Sequence, residues 1–130
     1  MEFSTLLWVS AGSAIGGAGR YVGSGLVARM FGETFPWGTL LVNVLGSFLI
    51  GVIATLVAPE GRLLLGPTAR QFLMLGVLGG FTTFSSFSLQ TLNLVQEGEW
   101  LHAGGYVLGS VALCLVGVWL GHALGVVINR

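Results

Sequence analysis

The sequence contains no lysine and no aspartate, and its single cysteine is Cys114. Five arginines and five glutamates carry its side-chain charge, so charged residues make up 8% of a chain whose formal net charge is zero. A soluble domain carries charge on roughly a quarter of its residues. Neutrality leaves no basic surface for nucleic acid, and one cysteine excludes an intramolecular disulfide and a cysteine-based zinc site. These shortages exclude a water-soluble globular domain.

The chain is instead rich in long apolar stretches: 54% of its residues are hydrophobic, and its mean hydropathy is +0.90. Four apolar stretches lie at about residues 3–29, 36–58, 68–96 and 100–128. A helix needs about 20 apolar residues to cross a bilayer, and backbone in lipid must satisfy its own hydrogen bonds. The sequence therefore predicts an all-α integral membrane protein, with a single domain of four transmembrane helices over residues 1–130.

Glycines recur four residues apart in the first and last stretches, as Gly12/Gly16, Gly19/Gly23, Gly105/Gly109 and Gly117/Gly121/Gly125. This spacing lets helices approach closely in lipid, either within one bundle or between subunits. An even number of crossings puts three arginines on the side of the termini and one or two on the other side. So weak a bias permits insertion in both orientations, and with it an antiparallel dimer.

Polar residues inside the apolar stretches are few, and each is costly in lipid unless it pairs or lines a cavity. Arg20 either snorkels to the interface or has a functional role, in which it supplies positive potential to a vestibule or pairs with a backbone carbonyl. Asn43 either makes an interhelical hydrogen bond or turns its N–H donors toward a dehydrated anion.

The third stretch carries the strongest pattern, Gly79-Gly80 followed by Phe84, Phe87 and five hydroxyl residues, which are Thr82, Thr83, Ser85, Ser86 and Ser88. Adjacent glycines weaken a helix, so this helix is expected to break near its middle and free backbone carbonyls between Gly79 and Thr82. Alternatively, the hydroxyls bond back to the preceding turn and only kink the helix. Phe84 and Phe87 either pack in the core or present their positive ring edges to an anion.

The fourth stretch places Tyr106, Ser110 and Cys114 four residues apart, which forms one mildly polar face. No glutamate falls within any of the four stretches, so a proton-coupled pump lacks its usual carboxylate. No nucleophile, base and carboxylate can converge, and the protein is not expected to be an enzyme. Asn43, Phe84 and Phe87 are expected to form an ion path and to be dispensable for folding.

With these motifs the chain resembles the small fluoride channels of the Fluc (CrcB) family. The resemblance rests on GGAGRY at residues 16–21, GTLLVNVLGSF at residues 38–48, GGFTTFSSFS at residues 79–88, and Tyr106 with Ser110. It implies an antiparallel, dual-topology homodimer in the inner (plasma) membrane, with membrane lipid around it and no nucleic-acid partner. Two narrow pores would pass fluoride passively, exclude chloride and protect the cell against fluoride toxicity.

The resemblance also implies a role for each residue of the motifs. Asn43 would be the hydrogen-bond donor of the pore, and Phe84 and Phe87 would be its paired phenylalanines. The polar route would be traced by Thr83, Ser86, Tyr106 and Ser110, with Arg20 facing the vestibule. The backbone carbonyls of Gly79 and Thr82 would hold a structural Na⁺ ion at the dimer centre, because hard cations prefer oxygen ligands.

Two positions depart from the family pattern, since Gln90 stands where Glu is common and Cys114 where Ser is frequent. Two other functions compete with the channel. A small multidrug-type, dual-topology exporter also has four helices, but its chemistry centres on a carboxylate in the first helix, where this chain has Arg20. A non-conducting subunit of a larger membrane complex would leave the polar third stretch unexplained.

Overall fold

The computed structural model describes residues 1–130 and is entirely helical. The elements in chain order are α1 (Phe3–Phe31), α2 (Trp37–Leu56), α3 (Pro67–Gln71), a π-helical segment (Phe72–Leu78), α4 (Gly79–Phe81), α5 (Phe84–Gln96) and α6 (Trp100–Asn129). The elements from α3 to α5 follow one another as a single rod that opens at Thr82 and Thr83. The all-α prediction is confirmed, and the third of the four rods is interrupted near its middle.

Local backbone chemistry explains where these helices begin and end. Gly32 ends α1 with a φ of 81° and donates its N–H to the Ala28 carbonyl, and Gly98 turns the chain between α5 and α6 with a φ of 77°. Only glycine adopts such positive φ angles without steric cost. Pro67 opens α3, where its missing N–H would have had no helical partner.

Three rods are long and apolar enough to cross a membrane, namely Trp37–Leu56, Pro67–Gln96 and Trp100–Asn129. At 29 residues, α1 is long enough, but small residues and Arg20 make it less apolar than the other three. The chain is therefore a membrane protein, and a fourth crossing by α1 stays a prediction.

Two helix contacts organise the chain, that of α2 along α6 and that of α1 against the π-helical segment and α4. Glycine makes both contacts possible, because a Cβ atom at Gly16 would overlap the Val77 carbonyl and one at Gly121 would overlap the Phe48 carbonyl. Gly105 and Gly109, in contrast, would meet no neighbouring atom within 4 Å. The repeated glycines thus pack inside the chain at some positions and lie on an open face at others.

A small core lies between α2, α5 and α6, toward the end of the molecule that carries the loop 32–36. It consists of Leu40, Phe87, Leu94, Ala103 and Tyr106. Only 19 of the 130 residues are buried, and large apolar side chains cover much of the surface. A surface of this kind belongs in hydrocarbon or against another subunit.

Candidate functional site

The third rod opens at two threonines. Thr82 has φ −90° and ψ 158°, and Thr83 has φ −152° and ψ 117°, both in the extended region. Gly79, in contrast, stays helical with φ −63° and ψ −36°. The opening therefore begins after the glycine pair, at the C-terminal end of the segment in which the sequence predicts it.

Asn43 holds this opening from the neighbouring helix α2. Its Nδ2 donates to the Thr83 carbonyl at 3.0 Å, and its Oδ1 accepts from the Thr83 amide at 2.8 Å. The side chain thus satisfies both polar groups of a residue that has left the helix. An amide nitrogen has two hydrogens, so one donor remains for another acceptor. The interhelical hydrogen bond, one of the two roles that the sequence allows for Asn43, is therefore present. It gives Asn43 a structural role, which the prediction that Asn43 is dispensable for folding did not include.

Thr83 also caps the helix that follows the opening. Its Oγ1 accepts from the Ser86 amide at 3.1 Å and donates to Ser86 Oγ at 3.1 Å, with Ser85 Oγ 3.3 Å away. Threonine is a favoured residue at this position because it satisfies an otherwise unpaired amide of the first turn. Hydroxyl groups consequently cluster at the N-terminal, electropositive end of α5.

The opening releases backbone carbonyls, as predicted. The Thr83 amide, which would reach the Gly79 carbonyl in a continuous helix, donates to Asn43 instead. The Thr82 amide and hydroxyl both donate to the Leu78 carbonyl at 3.0 Å. The Gly79 carbonyl therefore loses its helical donor, and the Thr82 carbonyl belongs to extended backbone. Such oxygens suit a hard cation.

Arg20 lies beside the same segment. Its Nε donates to the Gly80 carbonyl at 3.1 Å, and its side chain is partly buried. The guanidinium thus satisfies one backbone oxygen next to the opening. The pairing with a backbone carbonyl, one of the roles that the sequence allows for Arg20, is therefore present, and the partner lies sixty residues away in the chain.

Phe84, Phe87 and Tyr106 form a row of rings. The centroids of Phe84 and Phe87 are 5.3 Å apart, and those of Phe87 and Tyr106 are 5.0 Å apart. Phe87 is 9% exposed and belongs to the core, whereas Phe84 is 77% exposed. The two phenylalanines that the sequence pairs therefore lie in different surroundings, one packed and one open.

A chain of hydrogen bonds continues from this row. The Tyr106 hydroxyl donates to Gln90 Oε1 at 2.6 Å, and Gln90 Nε2 donates to Thr39 Oγ1 at 2.9 Å. Tyr106 is fully buried and Thr39 is 7% exposed. Sequence reasoning missed Thr39, although it lies one helical turn before Asn43 and therefore shares its face of α2.

A groove of about 420 Å³, the central groove, brings most of the predicted residues together. It is lined by Asn43, Gly79, Thr82, Thr83, Phe84, Phe87, Ser110 and Cys114, among others. Arg20, Ser86 and Tyr106 do not line it. Ser110 Oγ is buried in its wall and has no hydrogen-bond partner. None of the residues lining the groove carries a formal charge.

A second opening of about 580 Å³, the end cleft, lies between α1, α2 and α5. Thr39 and Gln90 line it, together with the charged residues Arg29, Glu33 and Glu97. The end cleft and the central groove therefore lie on either side of the buried Phe87 and Tyr106 rings. In the single chain, the hydrogen-bonded side chains of Thr39, Gln90 and Tyr106 extend inward from the end cleft, and the Tyr106 ring contacts the Phe87 ring that lines the central groove.

The sequence matches the family described as CrcB-like protein, Camphor Resistance (CrcB), over residues 7–122. The chain belongs to the CrcB-like family. The matched region contains every motif on which the resemblance rests, including both walls of the central groove. The resemblance stated from the sequence is thereby confirmed.

Several CrcB-like relatives are similar over nearly their whole length. A protein of Opitutus terrae is 64% identical over 97% of this chain and 96% of its own length. Proteins of Methylocella silvestris and Rhodospirillum rubrum are each 56% identical, over 95% and 97% of this chain and 95% and 98% of their own lengths. All three are named fluoride-specific ion channel FluC.

Proposed function

We propose that this CrcB-like protein is a passive, fluoride-selective ion channel and not an enzyme. It would export F⁻ from the cytoplasm across the inner (plasma) membrane and so protect the cell against fluoride toxicity. The observation that carries the proposal is the composition of the central groove, where amide, hydroxyl and aromatic groups meet without a titratable carboxylate. The names of the relatives support it.

A dehydrated anion needs donors that replace its water. The second N–H of Asn43 and the hydroxyls near Thr83 and Ser110 are such donors, and they are uncharged. The ring edges of Phe84 and Phe87 add a weak positive potential. A narrow route with fixed donors favours the smallest halide, because a larger anion fits the same donors poorly.

The hydrogen-bonded side chains of Tyr106, Gln90 and Thr39 supply the remainder of the route. Beyond Phe87, the hydroxyl of Tyr106 and the amide of Gln90 lead toward the end cleft. Ser86 supports the route indirectly through its bond to Thr83, and Arg20 contributes positive charge from behind the opening. Passage through this segment requires these side chains to exchange their mutual bonds for bonds to the ion.

A second copy would complete the channel. The central groove holds a few polar groups, those of Asn43, Thr83 and Ser110, among largely apolar side chains, and polar groups are unfavourable against lipid tails. Exposed Phe84 and the open glycine face at Gly105 and Gly109 provide apolar surface that can meet another subunit. An antiparallel, dual-topology homodimer with four crossings per chain would place two such grooves side by side and form two pores.

A structural sodium ion fits the opening. The carbonyl oxygens of Gly79 and Thr82 are uncharged hard donors outside regular helical bonding, whereas the Gly80 carbonyl already accepts from Arg20. In the dimer the same two oxygens from each copy would hold Na⁺. When bound, the ion supplies a fixed positive charge that ties the two openings together.

The decisive experiment is anion efflux from liposomes that contain the purified protein. We expect rapid fluoride efflux driven by its own gradient, with no chloride efflux above that of empty liposomes. Equal movement of chloride would contradict the proposed selectivity. Transport that requires a pH gradient, or that moves organic cations, would favour the exporter of the small multidrug type.

A further inference from the structure

The loop between α1 and α2 places one aromatic side chain against the buried tyrosine of the polar route. Phe35 lines the end cleft, whereas Tyr106 is fully buried and lines neither opening. The two rings pack at an interplanar angle of 79°, with centroids 5.4 Å apart. Phe35 thus contacts both the end cleft and the Tyr106 ring, although it offers no polar group to an ion.

The backbone at Phe35 is fixed by a tight turn. Pro36 has φ −78° and ψ 61°, and the Trp37 amide donates to the Phe35 carbonyl at 2.8 Å. These values define an inverse γ-turn, and the proline ring locks its central φ angle. The Trp37 ring also packs against Phe35, with centroids 4.7 Å apart, and the His102 ring centroid lies 6.0 Å away. Backbone and side-chain contacts therefore both set the direction of the Phe35 ring.

Tyr106 is held from two sides. Phe35 packs on its ring from the loop, and Phe87 packs on it from α5, with centroids 5.0 Å apart. The Tyr106 hydroxyl has a single hydrogen, which it donates to Gln90 Oε1 at 2.6 Å. That hydrogen can turn from Gln90 to an ion only while the oxygen stays in place. A donor is held in its productive geometry when packing fixes its own side chain, so the position of the ring decides whether the hydroxyl serves the route.

We propose that Phe35 is a positioning residue of the fluoride route. It fixes the Tyr106 ring, so that the hydroxyl stays within reach of Gln90 and of an ion that arrives from the end cleft. The effect on transport rests on the proposed function. A smaller side chain at position 35 leaves space beside the Tyr106 ring, and the ring then tilts and draws its hydroxyl away from Gln90.

The experiment compares the parent with Phe35→Ala, Phe35→Leu and Phe31→Ala. Leucine keeps most of the apolar volume of the ring, so it preserves the fold if the alanine variant is unstable. Phe31 is the matched control, because it is the last residue of α1, is 61% exposed and lines neither opening. In liposomes we expect Phe35→Ala to lose most of its fluoride efflux and Phe35→Leu to lose less, while Phe31→Ala keeps the parent rate.

Raman spectroscopy follows Tyr106 independently of transport. The chain has two tyrosines, and Tyr21→Phe leaves Tyr106 as the only one. The intensity ratio of the tyrosine doublet reports the hydrogen bonding of the phenol hydroxyl, which a change in global stability alone does not alter in folded protein. With Tyr21→Phe present throughout, the ratio should indicate a strong donor in the parent and in Phe31→Ala, and weaker donation in both Phe35 variants.

The two measurements together decide the proposal. A folded Phe35→Ala or Phe35→Leu protein that keeps the Raman ratio of the parent would limit Phe35 to packing and overturn it. A changed ratio with full fluoride efflux would overturn it as well, and so would an equal loss of efflux by Phe31→Ala. If the parent itself moves no fluoride, the proposed function fails, and the Raman ratio still decides whether Phe35 positions Tyr106.

Discussion

At the scale of single residues, Asn43 combines two roles. Its amide satisfies the backbone of Thr83 through two bonds, and it still has one N–H to turn into the central groove. Its chemistry, an uncharged group with donors in an apolar stretch, was evident from the sequence. Its partner was not, because Thr83 lies forty residues away and only tertiary packing brings the two together.

Replacing Asn43 by leucine should therefore damage both folding and transport. Leucine leaves the Thr83 amide and carbonyl without partners, and a buried group left unpaired costs on the order of 1–3 kcal/mol. We expect Asn43→Leu to lower the apparent unfolding temperature in detergent and to abolish fluoride efflux. Unchanged thermal stability would show that the two bonds contribute nothing to the fold.

The two phenylalanines give a second prediction, because their surroundings differ. Phe84 is 77% exposed, whereas Phe87 is 9% exposed and packs against Tyr106. Isoleucine keeps the apolar character but removes the aromatic edge. We expect Phe84→Ile to retain the stability of the parent, while Phe87→Ile loses about 1 kcal/mol through its aromatic contacts.

Both isoleucine proteins should lose most of their fluoride efflux, since both rings line the central groove. Thermal unfolding in detergent and efflux from liposomes, measured on the same preparations, test the two parts separately. Full efflux by Phe84→Ile would limit the exposed ring to a packing role against lipid or a partner.

At the scale of elements, the interrupted third rod shows what sequence patterns can locate and what they cannot. Two glycines followed by hydroxyl residues predicted an opening near the middle of the helix, and the opening is there. The glycines themselves remain helical, however, and close packing against α1 accounts for the glycine at one of the two positions. A Cβ atom at Gly80 would lie 2.6 Å from the Ser13 carbonyl oxygen of α1, whereas one at Gly79 would lie 3.7 Å from its nearest neighbour, the Met74 carbonyl oxygen.

The two glycines form a matched pair for mutation. Gly80→Val should disrupt the contact with α1 and give little folded protein, because the obstructing atoms belong to backbone and cannot turn aside. The larger side chain of Gly79→Val has room within the single chain, so this variant should fold. If the Gly79 carbonyl helps hold sodium at the centre of a dimer, the valine should still weaken assembly and fluoride efflux.

Size-exclusion chromatography in detergent and efflux from liposomes distinguish these effects. A Gly79→Val protein that assembles and conducts as the parent does would remove Gly79 from the sodium site. A stable Gly80→Val protein would mean that α1 and the third rod separate more readily than their packing suggests.

At the scale of the whole molecule, most of the surface of the single chain is open and apolar. Only 19 of 130 residues are buried, and the central groove, in which a few polar groups lie among apolar side chains, is open at the surface. Composition alone predicted a helical membrane protein, because so apolar a chain with so few charges has no soluble alternative. Composition says nothing about which faces meet a partner, since lipid and a second subunit both accept apolar side chains.

The distribution of arginines bears on how two copies would be arranged. With four crossings, Arg62, Arg70 and Arg130 would lie on the side of the termini and Arg29 on the other side, while Arg20 is held by a backbone carbonyl within the molecule. Arginines in short loops and near helix ends set orientation. Three against one is a small difference, so both orientations should form in one cell.

Two charge variants test this arrangement by complementation. Glu2→Arg with Glu60→Arg adds positive charge on the side of the termini, and Glu33→Arg with Glu97→Arg adds it on the opposite side. All four glutamates are exposed and none lines the central groove, while Glu33 and Glu97 line the end cleft, so the rate of the mixed protein is compared with that of the parent in liposomes. Each variant should insert in a single orientation, and the two orientations should be opposite.

An antiparallel dimer needs one copy in each orientation. Cells that produce either variant alone should therefore remain sensitive to fluoride, whereas cells that produce both should recover the resistance conferred by the parent. Labelling of an introduced terminal cysteine in a Cys114→Ser background, with a reagent that does not cross the membrane, would verify each orientation. Full resistance from one variant in a single orientation would mean that the two chains of the channel lie parallel, and the antiparallel dimer would be wrong.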